Sequence, residues 1–328
     1  MHRARLALIA LVLGHGIGVA QSLTASFEEQ VRQQMRKLDT WGLRRLLQEE
    51  QQIDKVQKER ARLSTSPREL TELASDEDSE VRFFVAVNRN TPIEVVQVLA
   101  TDPEAQVRSG VAIALNYEPL GPRSEEGIIE GLALSLTSDP QVLVRLKLAE
   151  NRELPGAAYE ALAGDPDLLV RLRIAQNPQS SSTALAHLAQ DSVEAVLVSA
   201  LGHRNMPVEW LEKSVDQPLP PVRLAIAQNI NTPVGVLERL AADPAPEVRR
   251  AVARHANTTL AILDHMRADQ DLEVLLALVA HPRADRKLLT KLARDDRDAG
   301  VRLAAQKRLV PLLRQEIRED LMERWRTQ

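Results

Sequence analysis

The sequence contains no cysteine, and only 2% of its 328 residues are aromatic. Without thiols the chain cannot form disulfides, iron–sulfur clusters or thiolate zinc sites. Large aromatic rings normally supply much of the area buried in a globular core. Their scarcity favours an architecture in which many small contacts among leucine, valine and alanine replace one large core.

The net charge and the missing catalytic motifs argue against further classes of function. The formal net charge is −4, and residues 1–20 contribute two arginines and no acid, which leaves −6 for the rest. A general nucleic-acid binder needs a basic surface to displace counterions from phosphates, so we expect no nucleic-acid partner. The sequence also lacks serine-hydrolase, zinc-protease and phosphate-loop motifs, so no catalytic residue, cofactor or metal is predicted.

The first twenty residues are typical of a secretory signal peptide. Arg3 and Arg5 form a basic start, an apolar run over 6–13 follows, and small residues precede a cleavage site after Ala20. The alternative is an uncleaved membrane anchor, but the run is short and is interrupted from Gly14 onward. We expect cleavage after Ala20, export to the periplasm or extracellular space, and no membrane insertion of the mature chain.

The dominant feature of the sequence is a valine, usually followed by arginine, that recurs with a nearly fixed period. Successive valines are 26 residues apart, except for one step of 37 and one of 27. A period of this length indicates stacked supersecondary units, that is, a solenoid. The valines stand at positions 81, 107, 144, 170, 196, 222, 248, 274 and 301.

Each repeat is interpreted as two short helices. Val170 and Ile174 lie on one helical face, and Asp165 is expected to be the N-cap with the following proline at the first helical position. For seven of the nine valines, the residue seven positions later is Asn or His, which is expected to end the helix in the left-handed conformation. Thr91 and Glu94 are expected to form a capping box on a second helix that has two turns or is partly 3₁₀.

This 26-residue unit resembles the leucine-rich repeat variant family, a relative of HEAT and armadillo solenoids. The resemblance covers about residues 66–310, and it is specific because the motif repeats. It implies an all-α, right-handed superhelical α-solenoid of about nine helix-pair repeats, with protein binding as the usual role. Some members of the family carry an iron–sulfur domain held by cysteines, and the absence of cysteine excludes that chemistry in this chain.

The repeats are expected to occupy 66–306. Before them, the polar segment 21–65 is interpreted as a helical cap on the first repeat or as a coiled-coil arm that docks a partner. The 37-residue step places a loop insertion at 117–127, which is either part of a binding face or without function. After the repeats, 307–328 is interpreted as a C-terminal capping helix.

A column of arginines directly follows the repeating valine. These side chains either bind an anionic envelope polymer or pair with the aspartates of neighbouring repeats, and the similar number of the two residue types favours pairing. The asparagine column is assigned to the same structural ladder. The ladder set is Arg82, Arg108, Arg145, Arg171, Arg223, Arg249, Arg302, Asn88, Asn151, Asn177 and Asn229.

Partner binding is assigned to positions that vary between repeats, in particular the position three after each valine. The fifth repeat is irregular, with Leu197 in place of the arginine. A metal site formed by His203, His255 and His281 is disfavoured because equivalent positions in stacked repeats are about 8–10 Å apart. The candidate partner-binding residues are Phe84, Lys147, Arg173, His203, Trp210 and Tyr117.

The sequence therefore favours an exported, non-catalytic scaffold that binds a protein of unknown identity. Two alternatives stay open. One is an enzyme or enzyme-assembly factor with a site in the groove near the fifth repeat. The other is a binder of an anionic envelope polymer through the arginine column.

Overall fold

The computed structural model describes residues 40–116, 126–295 and 297–326. The predicted signal peptide, residues 21–39 of the cap or arm, and Tyr117 with most of the insertion lie outside the described residues. The chain divides into two compact units between Pro122 and Arg123, within the predicted insertion. Every regular element among the described residues is a helix.

The first unit contains a long helix, a short second helix, one complete helix pair and the first helix of the next repeat. Short helices are typical here, because each one is stabilised by packing on its neighbours rather than by its own length. The helices are α1 (Thr40–Leu63), α2 (Pro67–Leu73), α3 (Ser79–Val87), α4 (Ile93–Leu99) and α5 (Ala105–Ala114).

The second unit continues the helix-pair pattern to the C-terminal end of the described chain. Its elements are α6 (Glu126–Thr137), α7 (Val142–Ala149), α8 (Gly156–Ala163), α9 (Leu168–Gln176), α10 (Ser182–Leu188), α11 (Glu194–Leu201), α12 (Val208–Lys213), α13 (Pro220–Gln228), α14 (Val234–Leu240), α15 (Pro246–Arg254), α16 (Leu260–Met266), α17 (Leu272–Ala280), α18 (Arg286–Asp295) and α19 (Ala299–Arg326).

The repeating valine and the aliphatic residue four positions later form the core of each repeat. Val170 and Ile174 are fully buried, as are Val222 and Ile226. The second helices contribute leucines such as Leu185 to the same layer. The all-α helical-repeat fold predicted from the 26-residue period is thereby confirmed, and the second helices are α-helices of about two turns.

Within the second unit, the two helix rows are packed differently. The first helices α9, α11, α13, α15 and α17 each contact the next one along the chain closely, whereas the second helices from α10 onward approach each other less. Since the repeats are closer together on the first-helix side, exposed side chains on that side form a continuous strip. None of the described helices is long and apolar enough to cross a membrane.

The helices that precede and follow the repeats differ from those expected from the sequence. Helix α1 takes the place of a first helix, since the Asn88 side chain of the next repeat donates to the carbonyls of Ala61 and Ser64 at its C-terminal end. The closing helix does not begin at 307, because α19 starts at Ala299 and includes the last repeating valine. Pro311 lies inside this helix and does not end it.

Candidate protein-binding surface and the ladders beneath it

Arg145 shows how the arginine column links one repeat to the next. Its Nε donates to Asp165 Oδ2 at 2.6 Å, and its Nη2 donates to Asp165 Oδ1 at 3.0 Å. Its Nη1 donates to the backbone carbonyl of Asp139 in its own repeat at 2.7 Å. The hydrogen bond to Asp165 raises the pKa of the Arg145 guanidinium. We call such an arginine–aspartate pair a rung: it is an ion pair whose arginine also donates to a loop carbonyl.

The same bidentate geometry recurs in both units, with Nε–Oδ2 distances of 2.6–2.7 Å. In each case the aspartate lies 20 residues after the arginine and is nearly inaccessible to solvent. These guanidinium groups face inward and are occupied, so they do not form a surface for an anionic polymer. The pairs are Arg82–Asp102, Arg145–Asp165, Arg171–Asp191, Arg223–Asp243 and Arg249–Asp269.

The remaining arginines of the column use their Nη1 groups in the same way. Arg108 donates to the carbonyls of Asp102 and Pro103, and Arg302 donates to the carbonyl of Arg297. In the fifth repeat both members of the rung are replaced, since Leu197 stands at the arginine position and Gln217 stands 20 residues later. Joint replacement avoids leaving one buried charge without its partner.

The prediction that the aspartate is the helix N-cap is wrong. Asp165 Oδ1 accepts the N–H of Asp167 at 2.8 Å, and Asp167 is the N-cap of α9. Pro166 therefore lies in the loop rather than at the first helical position. Asp165 lies two residues before the N-cap, so its carboxylate is outside the helix and pairs with Arg145 of the preceding repeat.

The asparagine column forms a second, buried ladder. Asn229 Nδ2 donates to the carbonyls of Leu201 at 2.7 Å and His203 at 2.8 Å, while its Oδ1 accepts the N–H of Asn231. Leu201 is the last residue of α11, so the side chain satisfies a carbonyl that the preceding helix leaves open. Asn88 and Asn177 bond in the same way, and the buried Asn151 provides a carbonyl acceptor for Asn177.

Two local predictions about these turns are also wrong. Asn177 ends its helix at φ −71° and ψ 120°, which is extended rather than left-handed, because its side chain rather than a turn of the backbone satisfies the carbonyls. Thr91 does not form a capping box with Glu94. Its Oγ1 donates to the carbonyl of Val85 in the preceding helix at 2.6 Å, and the second helix begins without a side-chain cap.

Histidine replaces asparagine in this ladder at three positions with the same bonding pattern. His203 Nδ1 accepts the N–H of Asn205 at 3.0 Å, and its Nε2 lies 3.0 Å from the carbonyl oxygen of Asn177. Nδ1 must therefore be unprotonated and Nε2 must carry the proton. Burial lowers the pKa of His203, an effect that the hydrogen bond to Asn177 partly offsets.

His255 and His281 repeat this arrangement one and two repeats beyond Asn229. Their Nε2 atoms lie 2.8 and 3.1 Å from the carbonyl oxygens 26 residues earlier, and their Nδ1 atoms accept from Asn257 and Arg283. Burial lowers the pKa of His281, and the nearby cations Arg283 and Arg308 lower it further.

Two parts of this network were not predicted from the sequence. Nine residues after the repeating valine, an outer asparagine donates to a loop carbonyl of the preceding repeat, as Asn231 does to Arg204 at 2.6 Å. Arg308 stands seven residues after the last repeating valine and donates to the carbonyls of Val279 and His281. Its position in the column was the signal that could have identified it as the last rung.

The candidate partner-binding residues do not form one cluster. Phe84 packs edge-to-face against Phe83 in the first unit, and Tyr117 lies outside the described residues. Trp210 is on the second helix α12, where Lys213 Nζ lies 4.8 Å from its ring centroid. His203 is part of the buried ladder, so its ring is occupied by the fold.

Lys147 and Arg173 are the candidates that border an exposed surface. They lie on α7 and α9 and share the carboxylate of Glu150, at 3.0 and 3.7 Å. One carboxylate cannot neutralise two cations, so this edge keeps net positive charge. Gly110, at the equivalent position in the first unit, is buried instead, and a Cβ there would lie 2.9 Å from the Phe83 ring.

Apolar side chains line the solvent side of the first helices in the second unit. Leu143 is 49% exposed and Leu169 is 56% exposed, although residues of this size usually bury most of their surface. Others in the strip are half-buried and provide its floor. We call this strip the first-helix surface, defined by Leu143, Leu146, Leu169, Leu172, Ala195, Val198, Pro221 and Leu224.

The first-helix surface changes character toward α15. A groove of about 510 Å³ between α13 and α15 is lined by Leu224 and Ile230 on one side and by Glu247, Arg250 and Arg254 on the other. The apolar strip therefore ends in a charged wall. Among the described residues no group of three or more His, Asp or Glu side chains could hold a metal ion.

Comparison with solved structures supports the helical-repeat assignment. The structure titled "A leucine-rich repeat variant with a novel repetitive protein structural motif" is 28% identical, with a TM-score of 0.51 over 72% of this chain and 88% of that chain. Two engineered proteins match at 16% and 19% identity, covering 95% and 73% of this chain and 98% and 93% of theirs, but their TM-scores are only 0.32 and 0.21. No family model and no curated protein matches the sequence. The resemblance inferred from the 26-residue unit is confirmed: the chain is an α-helical repeat protein similar to the leucine-rich repeat variant.

Proposed function

We propose that this chain is a non-catalytic scaffold that holds a protein partner on the first-helix surface of the second unit. The observation that carries the proposal is the exposure of Leu143 and Leu169 in a strip that continues over four repeats. The arginine, asparagine and histidine columns are used internally, whereas the first-helix surface is apolar and stays accessible to a partner. Contiguous exposed apolar area on a soluble protein is typical of an interaction site.

The repeat spacing suggests what the partner segment looks like. Packed helices are about 8–10 Å apart, and three residues of an extended polyproline II segment span about 9 Å. An extended partner segment with an apolar side chain at every third residue would therefore place one such side chain on each repeat. The positive edge formed by Lys147 and Arg173 favours carboxylates between those apolar residues.

Synthetic peptides test this proposal directly. The probe is a peptide of about twelve residues, enough for four repeats at three residues each, with leucine at every third position and glutamates between them. It is compared by fluorescence anisotropy with a scrambled peptide of the same composition and with a version that carries lysine in place of glutamate. We expect the regular acidic peptide to bind most tightly.

Matched variants show which surface of the protein binds the peptide. The double change Leu143→Ser and Leu169→Ser should reduce affinity at least about tenfold, since each leucine contributes about 1.5–3 kcal/mol when buried. Val234 and Leu260 are exposed to a similar extent on second helices, so changing both to Ser is the control. Equal affinity for regular and scrambled peptides, or equal loss in both double variants, would exclude the first-helix surface as the site.

We infer that the chain acts outside the cytoplasm, in the periplasm or beyond it. The basic start, apolar run and small residues before Gln21 support export. N-terminal sequencing of the protein purified from its native cells should give Gln21 as the first residue. An intact N-terminal segment on protein recovered from the cytoplasmic fraction would overturn this inference.

The two alternative functions have less support. An enzymatic site at the fifth repeat would need a free base, but both ring nitrogens of His203 are engaged in the ladder. A polymer site on the arginine column would need accessible guanidinium groups, but Arg145 and Arg223 are buried and paired.

A further inference from the structure

The three histidines of the buried ladder accept a hydrogen bond that only their neutral form can accept. Nδ1 of His203, His255 and His281 faces the backbone N–H two residues later, at 3.0, 3.0 and 3.1 Å. An imidazolium ring carries hydrogen on both nitrogens, so protonation would set two donors against each other at Nδ1. The asparagines at the same position accept through Oδ1 and do not titrate.

The charges facing His203 and His281 oppose protonation. Arg204 lies beside His203, and Arg283 and Arg308 lie beside His281. Because burial and these cations hold the pKa of His203 and of His281 below the ordinary value of 6.5, the folded protein binds fewer protons than the unfolded chain. The stability they contribute is fully present above pH 6.5 and is lost as pH falls below it.

Around His255 the charged groups are of both signs. The ring lines the groove between α13 and α15 with Glu247, Arg250 and Arg254. The two arginines form pairs with Asp271 at 3.5 Å and with Glu273 at 3.7 Å. Glu247 is exposed to solvent, so charges of both signs surround His255, whereas cations lie beside His203 and His281.

We propose that the second unit contains an acid-sensitive seam, in which protonation of His203 and His281 loosens the contacts between successive repeats. The seam covers the loops that follow α11 and α17. In the first unit the equivalent position described in full is Asn88, which has no proton to gain. Acidification should therefore destabilise the second unit selectively and leave the equivalent contact of the first unit unchanged.

The test replaces each seam histidine by the residue that the same chain uses at equivalent positions. The variant H203N/H281N should keep the ladder and lose the titration at these two positions, because Asn177 and Asn229 make the same contacts. Thermal and urea unfolding are measured between about pH 7.5 and pH 5. In the wild type, each histidine kept neutral only in the folded state should lower the folding constant by up to about tenfold per pH unit, and the double variant should lose this dependence.

A matched control separates the seam from acid sensitivity in general. His265 lies exposed on the second helix α16, so H265N removes a histidine outside the ladder and should keep the wild-type pH dependence. Amide exchange at Asn205 and Arg283, corrected for the intrinsic effect of pH, should lose protection on acidification in the wild type.

Two results would overturn the proposal. One is a double variant whose stability falls with pH as steeply as that of the wild type. The other is an imidazole ¹⁵N spectrum of the wild-type protein that shows the proton on Nδ1 of His203 and His281 at neutral pH. The spectrum and the two single His→Asn variants decide the matter if the double variant does not fold.

Discussion

Replacing only one residue of the buried Arg145–Asp165 pair should reduce the free energy of unfolding much more than replacing both residues together. Their side chains are only 9% and 2% exposed. Arg145→Leu leaves the Asp165 carboxylate buried without its cation, which costs about 3–5 kcal/mol, and the Asp139 carbonyl loses a donor worth roughly 1 kcal/mol. The fifth repeat shows the compensated form, Leu197 with Gln217, so R145L/D165Q should be at least about 2 kcal/mol more stable than R145L.

Urea unfolding of the wild type, both single variants and the double variant gives the coupling energy between the two positions. Amide exchange over α7 and α9 is followed as well, because repeat arrays do not always unfold in one step. The control is R239L, since the Arg239–Asp216 pair is equally short at 2.5 Å but 53% and 79% exposed. This pair should contribute no more than about 1 kcal/mol. If R145L costs no more than R239L, or if the two single effects simply add, burial of an unpaired charge is not the cause.

Two further changes test the other rungs. Asn229→Ala removes three hydrogen bonds, of which the one to Leu201 is fully buried, and should cost about 2–3 kcal/mol in urea unfolding, whereas Asn231→Ala at the exposed outer ladder should cost about 1 kcal/mol or less; equal costs would contradict the distinction. Arg308→Met leaves two carbonyls of the preceding repeat without their donor. It should make α19 more sensitive to limited proteolysis than Arg314→Met, an exposed control on the same helix, and equal cleavage would show that Arg308 does not hold the end of the unit.

The repeat period was enough to predict the helices and the core, because burial at the valine and four residues later depends only on helical geometry within one repeat. The polar partners were harder to predict, because each lies in a different repeat and is brought close only by stacking. Asp165 illustrates the limit. A position before a helix is typical of an N-cap, but whether the helix starts one or three residues later depends on Arg145, which is 20 residues away along the chain.

The residues assigned to partner binding illustrate a related limit. Lys147 and Arg173 were assigned from variability alone, and this criterion also selected Phe84, which packs against a neighbouring ring, and Gly110, which is buried. Variation between repeats does not distinguish an exposed position from one at which two helices approach closely. Arg308 was missed because the repeats were expected to end at 306, although it stands seven residues after the last repeating valine.

Within a repeat, the positions that stabilise the fold differ from the exposed positions available to a partner. An exposed position can therefore change without loss of folding stability. The valine core and the polar ladders repeat almost unchanged, whereas the position directly before the valine varies from Leu169 to Glu247 between repeats of the same unit. Both side chains are exposed, so their identity contributes little to repeat stacking. Leu169→Glu should therefore leave the unfolding free energy within about 0.5 kcal/mol of the wild type while it abolishes peptide binding at that repeat. A large loss of stability in this variant would mean that the first-helix surface is part of the stacking interface and not a surface kept free for a partner.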